Sequence, residues 1–402
     1  MAELKISDYI DVDSIDGTEL ILVSKDGSYR KTTIEEIRNL ASDIANTALA
    51  DLLNKAASAH DVKNILNAIN NNFENLNAQL SDLTNKVYER KFNPKFMHTL
   101  HIGQPQDNLG NIWIEDNETT QSYLNGLSNM HLDGLNICVN IAYNKNISSL
   151  YQVESNEKII DTINKCNILN IKVNCIKCHL SKIKISDIDS MTYSTFFSTY
   201  KSILISLANN LHLYNIPYFI VFNEYNLVYN YLNTANLSPT LDIINSIKAI
   251  GYKTGISPGG INDAFSISDS ILEACDIMCL NYYPSVGNKG SLTTLREVEE
   301  AIVSGGINEF INMVKLKFPN KPIIISETGL MDYWKSLEFP SWYNFEESDK
   351  IKTNGKVISL YLQGLFNALN DLDISEVWWW FNLYNSYESV INTFDEYLKG
   401  GM

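Results

Sequence analysis

The stretch YFIVFNE at residues 218–224 is a continuous apolar run that ends in an Asn-Glu pair, and IIISETG at residues 323–329 repeats the arrangement with a Ser-Glu pair. Short apolar runs rich in β-branched and aromatic residues predict strands that are buried on both faces. Long helix-forming segments separate these runs from their neighbours along the chain. Strands that alternate with helices are typical of repeated βα units on a parallel sheet.

Further runs extend this pattern in both directions. Strands are predicted at residues 96–102, 135–142, 171–179, 218–222, 254–257, 276–282, 322–326 and 376–381, and helices at 193–215, 240–250, 292–318 and 354–371, with a weaker helix near 117–130. Eight such strands predict an α/β fold of the (β/α)8 TIM-barrel type. A doubly wound open sheet is the alternative, but no Gly-rich turn follows the first predicted strand to suit it.

Two glutamates end strands that a barrel places across its mouth from each other. Glu224 follows the fourth predicted strand and Glu327 follows the seventh. The active site of such a barrel lies at the C-terminal ends of its strands. Hydrolysis of a glycosidic bond needs one carboxylic acid to protonate the leaving oxygen and one carboxylate to attack or stabilise the anomeric carbon. The sequence therefore predicts that these glutamates form a catalytic pair.

With these strand ends in place, residues 95–395 resemble the clan A glycoside hydrolases, which are retaining barrel enzymes such as mannanases and cellulases. The residues that carry the resemblance are Asn223-Glu224 after strand four and Glu327 after strand seven. The resemblance implies that Glu224 is the acid/base and Glu327 the nucleophile. It also implies that Asn223 binds the sugar 2-hydroxyl next to the reacting carbon.

The sixth and eighth strand ends add residues to this likeness. Clan A enzymes place a tyrosine beside the nucleophile after strand six, and the parity shared with Asn281 favours Tyr283 over Tyr282 for that role. They also place a tryptophan after strand eight as the floor of the subsite that holds the cleaved sugar. Residues 378–380 are all tryptophan. Because successive side chains alternate, Trp378 and Trp380 are the candidates, and at least one of the three must pack in the barrel.

The third strand end carries Lys177 and His179, where some mannanase-like members have a Lys-x-His pattern. The resemblance implies hydrogen bonds to substrate hydroxyls, although a structural histidine is equally compatible. Many clan A enzymes hold the nucleophile with an arginine from an early strand, but after Arg90 this chain has only Arg296, which falls in a helical segment. Lys177 could supply that charge, as a point charge rather than a planar two-pronged donor.

The missing arginine leaves two alternatives to an enzyme open. One is a catalytically weak or inactive carbohydrate-binding protein that recognises a receptor glycan with the same barrel. The other is a structural virion protein whose barrel is a spacer with a plugged mouth. For the enzyme and for the carbohydrate-binding protein alike, the expected partner is a polysaccharide or oligosaccharide.

The N-terminal quarter has a different character. Residues 1–40 predict a small β-rich module with strands at 19–24 and 29–33 around Asp26-Gly27, and they resemble an N-terminal module of structural proteins of tailed bacteriophages. That resemblance implies a virion tail or surface appendage as the location, other virion proteins as partners, and action outside the cell.

A helical segment links this module to the barrel and predicts a coiled-coil stalk at 41–90. Its apolar positions follow a heptad seam at Val62, Leu66, Ile69, Phe73, Leu76, Leu80, Leu83 and Val87. A helix with so narrow an apolar stripe buries it by pairing with copies of itself, so residues 62–87 predict a homo-oligomer. An amphipathic helix lying on its own barrel is the alternative. A trimer is favoured only by the likeness to phage fibres. The predicted domains are thus 1–40, 41–90 and 91–402.

Composition and motifs narrow the remaining classes. A formal net charge of −16 argues against a nucleic-acid partner. Neither a signal peptide nor a segment for membrane insertion is predicted. The six cysteines are expected to be buried thiols. This includes the pair in Cys175-x-x-Cys178-His179, which matches a haem-attachment pattern but lies in a predicted strand. Metal-protease, P-loop and serine-hydrolase motifs are missing, so no metal and no cofactor is expected.

Overall fold

The structure is a computed structural model that describes residues 20–25, 28–33, 71 and 90–399, apart from residues 103–120, 145, 181–192, 225–236, 288, 343 and 384–386. The chain divides into two compact units, Met1–Arg90 with Lys399–Met402, and Lys91–Leu398. Of the heptad segment 62–87, only residue 71 is described. The coiled coil and its oligomer therefore lie outside the described residues.

The described part of the first unit includes one antiparallel hairpin. Strand β1 (Leu20–Lys25) pairs with β2 (Ser28–Thr33), with Lys25 opposite Ser28. The residues between the strands are Asp26 and Gly27, the pair that predicts a tight hairpin turn.

The second unit is built on eight parallel strands that form a nearly closed barrel, as predicted. They are β3 (Lys95–His101), β4 (Gly134–Asn144), β6 (Val173–Leu180), β7 (Tyr218–Asn223), β8 (Lys253–Ser257), β9 (Met278–Asn281), β10 (Ile323–Thr328) and β11 (Glu376–Trp379). Their order is β8-β7-β6-β4-β3-β11-β10-β9. Main-chain hydrogen bonds cross the remaining seam, from Asp276 N to Thr254 O (2.8 Å) and from Asn281 N to Pro258 O (3.2 Å).

Helices follow the strands and cover the barrel. They are α1 (Gln121–Ser128), α2 (Asn156–Ile168), α3 (Tyr193–Leu211), α4 (Leu237–Ile250), α5 (Ile261–Ser266), α6 (Asp269–Ala274), α7 (Leu295–Ile302), α8 (Asn308–Lys317), α9 (Lys356–Leu369) and α10 (Glu388–Leu398). The short strand β5 (Ser149–Gln152), which was not predicted, pairs antiparallel with the end of β4.

The prediction of one continuous helix over 292–318 is wrong. A capping box at Thr294 begins α7, which ends at Ile302, and a π turn at Val303–Ile307 separates it from α8. Gly306 in this turn has a φ of 89°, a left-handed conformation that glycine adopts without steric cost. The adjacent glycines Gly305 and Gly306 are the sequence signal of this break, which apolar spacing alone does not convey.

Side chains of the strands alternate between two apolar layers. The inward-facing layer consists of Met97, Cys175, Ile220, Ile277, Cys279, Ile324 and Trp378. Outward-facing residues such as Ile176 and Cys178 pack in the larger layer beneath the helices. All six cysteines are free and buried, as predicted, and Cys175 and Cys178 lie on opposite faces of β6. In the described ranges, no helix has the length and apolarity needed to cross a bilayer.

Candidate active site

Irregular strand pairing brings both predicted catalytic glutamates to the mouth of the barrel. The pairing of β7 with β8 shifts between Ile220 and Phe222, and that of β10 with β9 shifts between Ile325 and Glu327. Strict alternation would turn Glu327 outward, like Ile325, into the layer beneath the helices. The bulge instead lets Glu327 face inward, and bulges commonly re-aim side chains beside active sites.

Glu224 lies just beyond the end of β7 in a left-handed conformation, with a φ of 54°. This conformation costs a residue with a side chain about 1–2 kcal/mol. The surrounding fold must hold it there, which is a frequent property of residues at functional sites. Glu224 is half-buried, whereas Glu327 is only 4% exposed.

Three side-chain donors hold the Glu327 carboxylate. Lys177 Nζ lies 2.8 Å and Asn281 Nδ2 lies 3.1 Å from Oε2, and the Tyr283 hydroxyl donates to Oε1 at 2.8 Å. The donors come from the third and sixth barrel strand ends. A carboxylate that accepts hydrogen bonds from a buried ammonium group and two further donors is fixed in direction.

Lys177 is fully buried, so its predicted hydrogen bond to a substrate hydroxyl is not what the structure shows. Its ammonium bonds Glu327, donates to the main-chain oxygen of Ser326 at 2.6 Å, and lies 4.6 Å from the ring centroid of Trp380. Lys177 therefore places a positive charge beside Glu327, the alternative role considered for it from the sequence.

A chain of polar side chains connects the two glutamate-bearing strands. Asn281 Nδ2 donates to Asn223 Oδ1 (3.3 Å), and Asn223 Nδ2 donates to His179 Nδ1 (3.0 Å). The Ser257 hydroxyl donates to Asn281 Oδ1 at 2.5 Å and also meets the Ser326 hydroxyl at 2.5 Å. These bonds fix the direction in which both asparagine amides point.

His179 is neutral in this chain of hydrogen bonds. Burial, followed by the nearby charge of Lys177, lowers the pKa of His179 to about 3. Because its Nδ1 accepts a hydrogen bond from Asn223, its own proton lies on Nε2. His179 is 2% exposed, packs near Trp380 and bonds Asn223, so its described contacts are with protein groups.

The two glutamates differ in electrostatic setting. Burial, and then the negative charge of Glu327, raise the pKa of Glu224 to about 7, while Lys177 opposes this and Asp263 on α5 adds to it. Burial and the adjacent Glu327 carboxylate also raise the pKa of Tyr283 well above its ordinary value, so its hydroxyl stays a donor. One carboxyl group can thus hold a proton near neutral pH beside another that accepts three hydrogen bonds.

The tryptophans of β11 divide as alternation requires, but Trp378 does not reach the mouth. Its side chain is fully buried in the inward-facing layer, and its Nε1 donates to Glu376 Oε2 at 2.8 Å. The expectation that Trp378 contacts substrate is therefore wrong. Trp380 lies at the mouth in a cluster with Cys138, Met331, Tyr333, Phe345 and Phe381.

The aromatic residues of the loop that follows Glu327 fall into a buried group and an exposed group. Tyr333 and Phe345 pack into the mouth cluster, whereas Phe339 is 47% and Trp342 is 51% exposed. The Trp342 indole is nevertheless held, because its Nε1 donates to Asn344 O at 2.7 Å. Trp342 is three residues from Phe345, which places their Cα atoms within about 11 Å of each other.

Sequence reasoning missed Ser257, Ser326 and Asp263 as parts of this site. Ser257 and Ser326 end apolar strand runs, a signal that could have identified them beside the glutamates. Among the described residues, no group of three or more His, Cys, Asp or Glu is arranged to hold a metal ion.

No family model and no curated protein matches the chain, but solved structures do. A β-1,4-mannanase of family GH113 matches with 11% identity and a TM-score of 0.54, over 76% of this chain and 99% of that one. The GH113 β-mannanase AaManA from Alicyclobacillus acidocaldarius, in complex with ManMIm, matches with 11% identity and a TM-score of 0.52, over 78% and 95%. The family 5 glycoside hydrolase PbGH5A from Prevotella bryantii, in complex with a xyloglucan tetradecasaccharide, matches with 13% identity and a TM-score of 0.50, over 78% and 98%. At these identities the likeness establishes the barrel fold.

Proposed function

We propose that this protein is a retaining glycoside hydrolase with Glu327 as nucleophile and Glu224 as acid/base. The observation that carries the proposal is the difference between the two carboxyl groups. Glu327 accepts hydrogen bonds from Lys177, Asn281 and Tyr283, while the pKa of Glu224 is raised to about 7. Retaining hydrolysis requires one ionised and one protonated carboxyl group at the same pH.

In the first step, Glu327 attacks the anomeric carbon as the bond to the leaving oxygen breaks, and Glu224 gives its proton to that oxygen. This step leaves a covalent glycosyl-enzyme and an ionised Glu224. In the second step, Glu224 takes a proton from water as the water oxygen attacks the anomeric carbon and releases Glu327. Asn223 binds the sugar 2-hydroxyl, Trp380 lies beneath the cleaved sugar, and Tyr283 and Lys177 hold the nucleophile.

The proposed substrate is a polysaccharide or long oligosaccharide. The exposed rings of Phe339 and Trp342 lie on the loop that leaves the nucleophile strand, where flat aromatic faces suit the C–H side of pyranose rings. The GH113 and GH5 barrels above are described as a β-1,4-mannanase and as an enzyme in complex with xyloglucan. A β-linked glycan is therefore the first substrate class to test, alongside bacterial surface polysaccharides.

The test is release of reducing ends from a panel of β-mannan, β-glucan, xyloglucan and bacterial surface polysaccharides. Glu327→Gln and Glu224→Gln should each abolish release on the substrate that the wild type cleaves. Glu346→Gln is the matched control, because Glu346 is an exposed carboxylate on the same loop. A 2-deoxy-2-fluoro glycosyl fluoride of that sugar should leave a covalent adduct that peptide mapping locates on Glu327. Glycan binding without released ends or an adduct would support the binding-only alternative instead.

The proposal includes attachment to a bacteriophage tail or surface appendage through residues 1–40, and a trimer through residues 62–87. The phage-like sequence of the N-terminal module and the heptad seam support this part. Light scattering on the full chain tests the oligomer. Substituting two seam positions, Leu76→Asp with Leu80→Asp, should reduce the mass to that of one chain, while Ser81→Asp, off the seam, should leave it unchanged. A one-chain mass for the wild type would refute the coiled coil.

A further inference from the structure

The residue before Tyr283 is bound to the nucleophile through its main chain. Strand β9 ends at Asn281, so residues 282–287 leave the sheet without regular pairing. Tyr282 N nevertheless donates to the main-chain oxygen of Glu327 at 2.7 Å. The segment that delivers the Tyr283 hydroxyl to the Glu327 carboxylate is thus attached to Glu327 at one point of its backbone.

The side chain of Tyr282 points away from the mouth and is anchored in the helical layer. Its ring is 3% exposed and belongs to the apolar layer beneath the helices. Its hydroxyl donates to the main-chain oxygen of Ile302, the last residue of α7. The hydroxyl of the next residue, Tyr283, reaches the opposite way, to Glu327 Oε1, so anchoring Tyr282 in the helical layer constrains the backbone from which Tyr283 extends.

The π turn after α7 is shaped to receive this hydroxyl. A Cβ at Gly305 would collide with the Tyr282 hydroxyl and would come within 3.2 Å of Pro284 Cβ. Gly306, with its φ of 89°, allows the backbone to make the wide turn. We name residues 302–306 the docking turn. Turns of this type are frequent at functional sites.

We propose that Tyr282 is a positioning residue, and that its attachment to the docking turn sets the Tyr283–Glu327 hydrogen bond. The inference rests on the proposed glycosidase function and extends it to a residue outside the mouth. It assigns a reason to the adjacent glycines Gly305 and Gly306, which would otherwise only weaken a helix.

The test compares Tyr282→Phe with Tyr252→Phe, which is a matched control. Tyr252 is also buried, and its hydroxyl donates to a helical carbonyl, Ala208 O, at 3.1 Å. Both variants lose one buried hydrogen bond, so a similar loss of thermal stability is expected. Tyr282→Phe alone should slow formation of the Glu327 adduct and lower kcat by about tenfold, with KM unchanged within about twofold, since small misplacements of reacting groups are costly.

A second pair of variants probes the contact itself. Gly305→Ala should slow adduct formation further, by about a hundredfold, because the new Cβ displaces the Tyr282 hydroxyl. Combining it with Tyr282→Phe removes the colliding hydroxyl, so the double variant should react faster than Gly305→Ala alone. Equal adduct rates in Tyr282→Phe and Tyr252→Phe, or independent effects of the two substitutions in the double variant, would overturn the inference.

A crystal structure of Gly305→Ala provides a readout that does not depend on hydrolysis. The Tyr283 hydroxyl to Glu327 Oε1 distance, 2.8 Å here, should exceed hydrogen-bonding reach in this variant and stay unchanged in Tyr252→Phe. An unchanged distance in Gly305→Ala would refute the positioning role. If the wild-type protein forms no adduct with any substrate, the proposed function fails, and this distance alone decides the inference.

Discussion

Replacing Lys177 with methionine tests the electrostatic design of the site most directly. The ammonium lies 2.8 Å from Glu327 Oε2, and both side chains are buried. At an effective dielectric constant of about 20, two unit charges at that separation attract each other by roughly 6 kcal/mol. The desolvation of lysine offsets part of this attraction, and removing one partner of a buried ion pair typically costs about 3–5 kcal/mol.

The range of about 3–5 kcal/mol is a folding cost, and we take the loss of transition-state stabilisation to be of the same size because the same contact orients the proposed nucleophile. A barrier increase of about 3–5 kcal/mol lowers a rate roughly a hundredfold to several-thousandfold, since each 1.4 kcal/mol is about a factor of ten. The assay is kcat/KM on the cleaved glycan, together with the rate of adduct formation at Glu327. Lys177→Arg keeps the positive charge, so it should retain more activity than Lys177→Met. Its larger head group must fit against Trp380, so its activity should stay below that of the wild type.

Stability measurements separate this explanation from simple misfolding. Lys177→Met should lower the free energy of unfolding, because it leaves the Glu327 carboxylate buried without its cation. Adding Glu327→Gln removes the unpaired charge, so the inactive double variant should be more stable than Lys177→Met alone. Wild-type kcat/KM in Lys177→Met, or a double variant that is less stable than the single one, would refute the reasoning.

Three further outcomes are expected. The proposed acid, Glu224, has a pKa of about 7, so kcat/KM should fall as the pH rises through that value. Because Asp263 contributes to the raised pKa, Asp263→Asn should move this limb of the pH profile to lower pH, and a limb that does not move would contradict the contribution of Asp263. Trp342→Ala should raise KM on a polysaccharide and leave turnover of a short aryl glycoside unchanged. The control Leu213→Ala, which also replaces an exposed apolar residue, should leave both quantities unchanged. Gly329→Ala should lower the free energy of unfolding by about 1–3 kcal/mol, because Gly329 has a φ of 134° and a Cβ at this position would lie 3.1 Å from Trp379. Denaturant titrations measure this change, and unchanged stability would argue against backbone strain at Gly329.

The barrel was predictable because its strands are short apolar runs that alternate with helical segments, and period and spacing are properties of the sequence. The same rule located Glu224 and Glu327, since it asks only which residue ends each run. Alternation within a strand also favoured Tyr283, whose hydroxyl contacts Glu327 in the structure. These inferences need only local order along the chain.

What the sequence could not supply lies where regular geometry is interrupted. The shift between Ile325 and Glu327 turns Ser326 and Glu327 toward the mouth together, which strict alternation forbids. The π turn at 303–307 lengthens the step between the buried residues Ile302 and Ile307 to five residues, and only the Gly305-Gly306 pair signals it in the sequence. Trp378 and Trp380 are two residues apart and point to the same face of the strand, so alternation could not reveal that Trp378 lies one layer deeper in the barrel than Trp380. Bulges, wide turns and depth depend on packing between elements, which a local pattern does not encode.

Among the described residues no arginine is recorded beside Glu327, the proposed nucleophile, but this absence loses much of its weight once the donors to its carboxylate are considered together. An arginine would offer two parallel N–H groups from one planar head. Here Lys177 and Asn281 both donate to Glu327 Oε2, so two side chains supply two donors and one of them brings the charge. The freedom of a lysine head group is also restricted, because Nζ bonds Ser326 O and lies over Trp380. Since a fixed cation and a fixed amide meet the need of an ionised nucleophile, the missing arginine does not by itself favour a barrel that only binds.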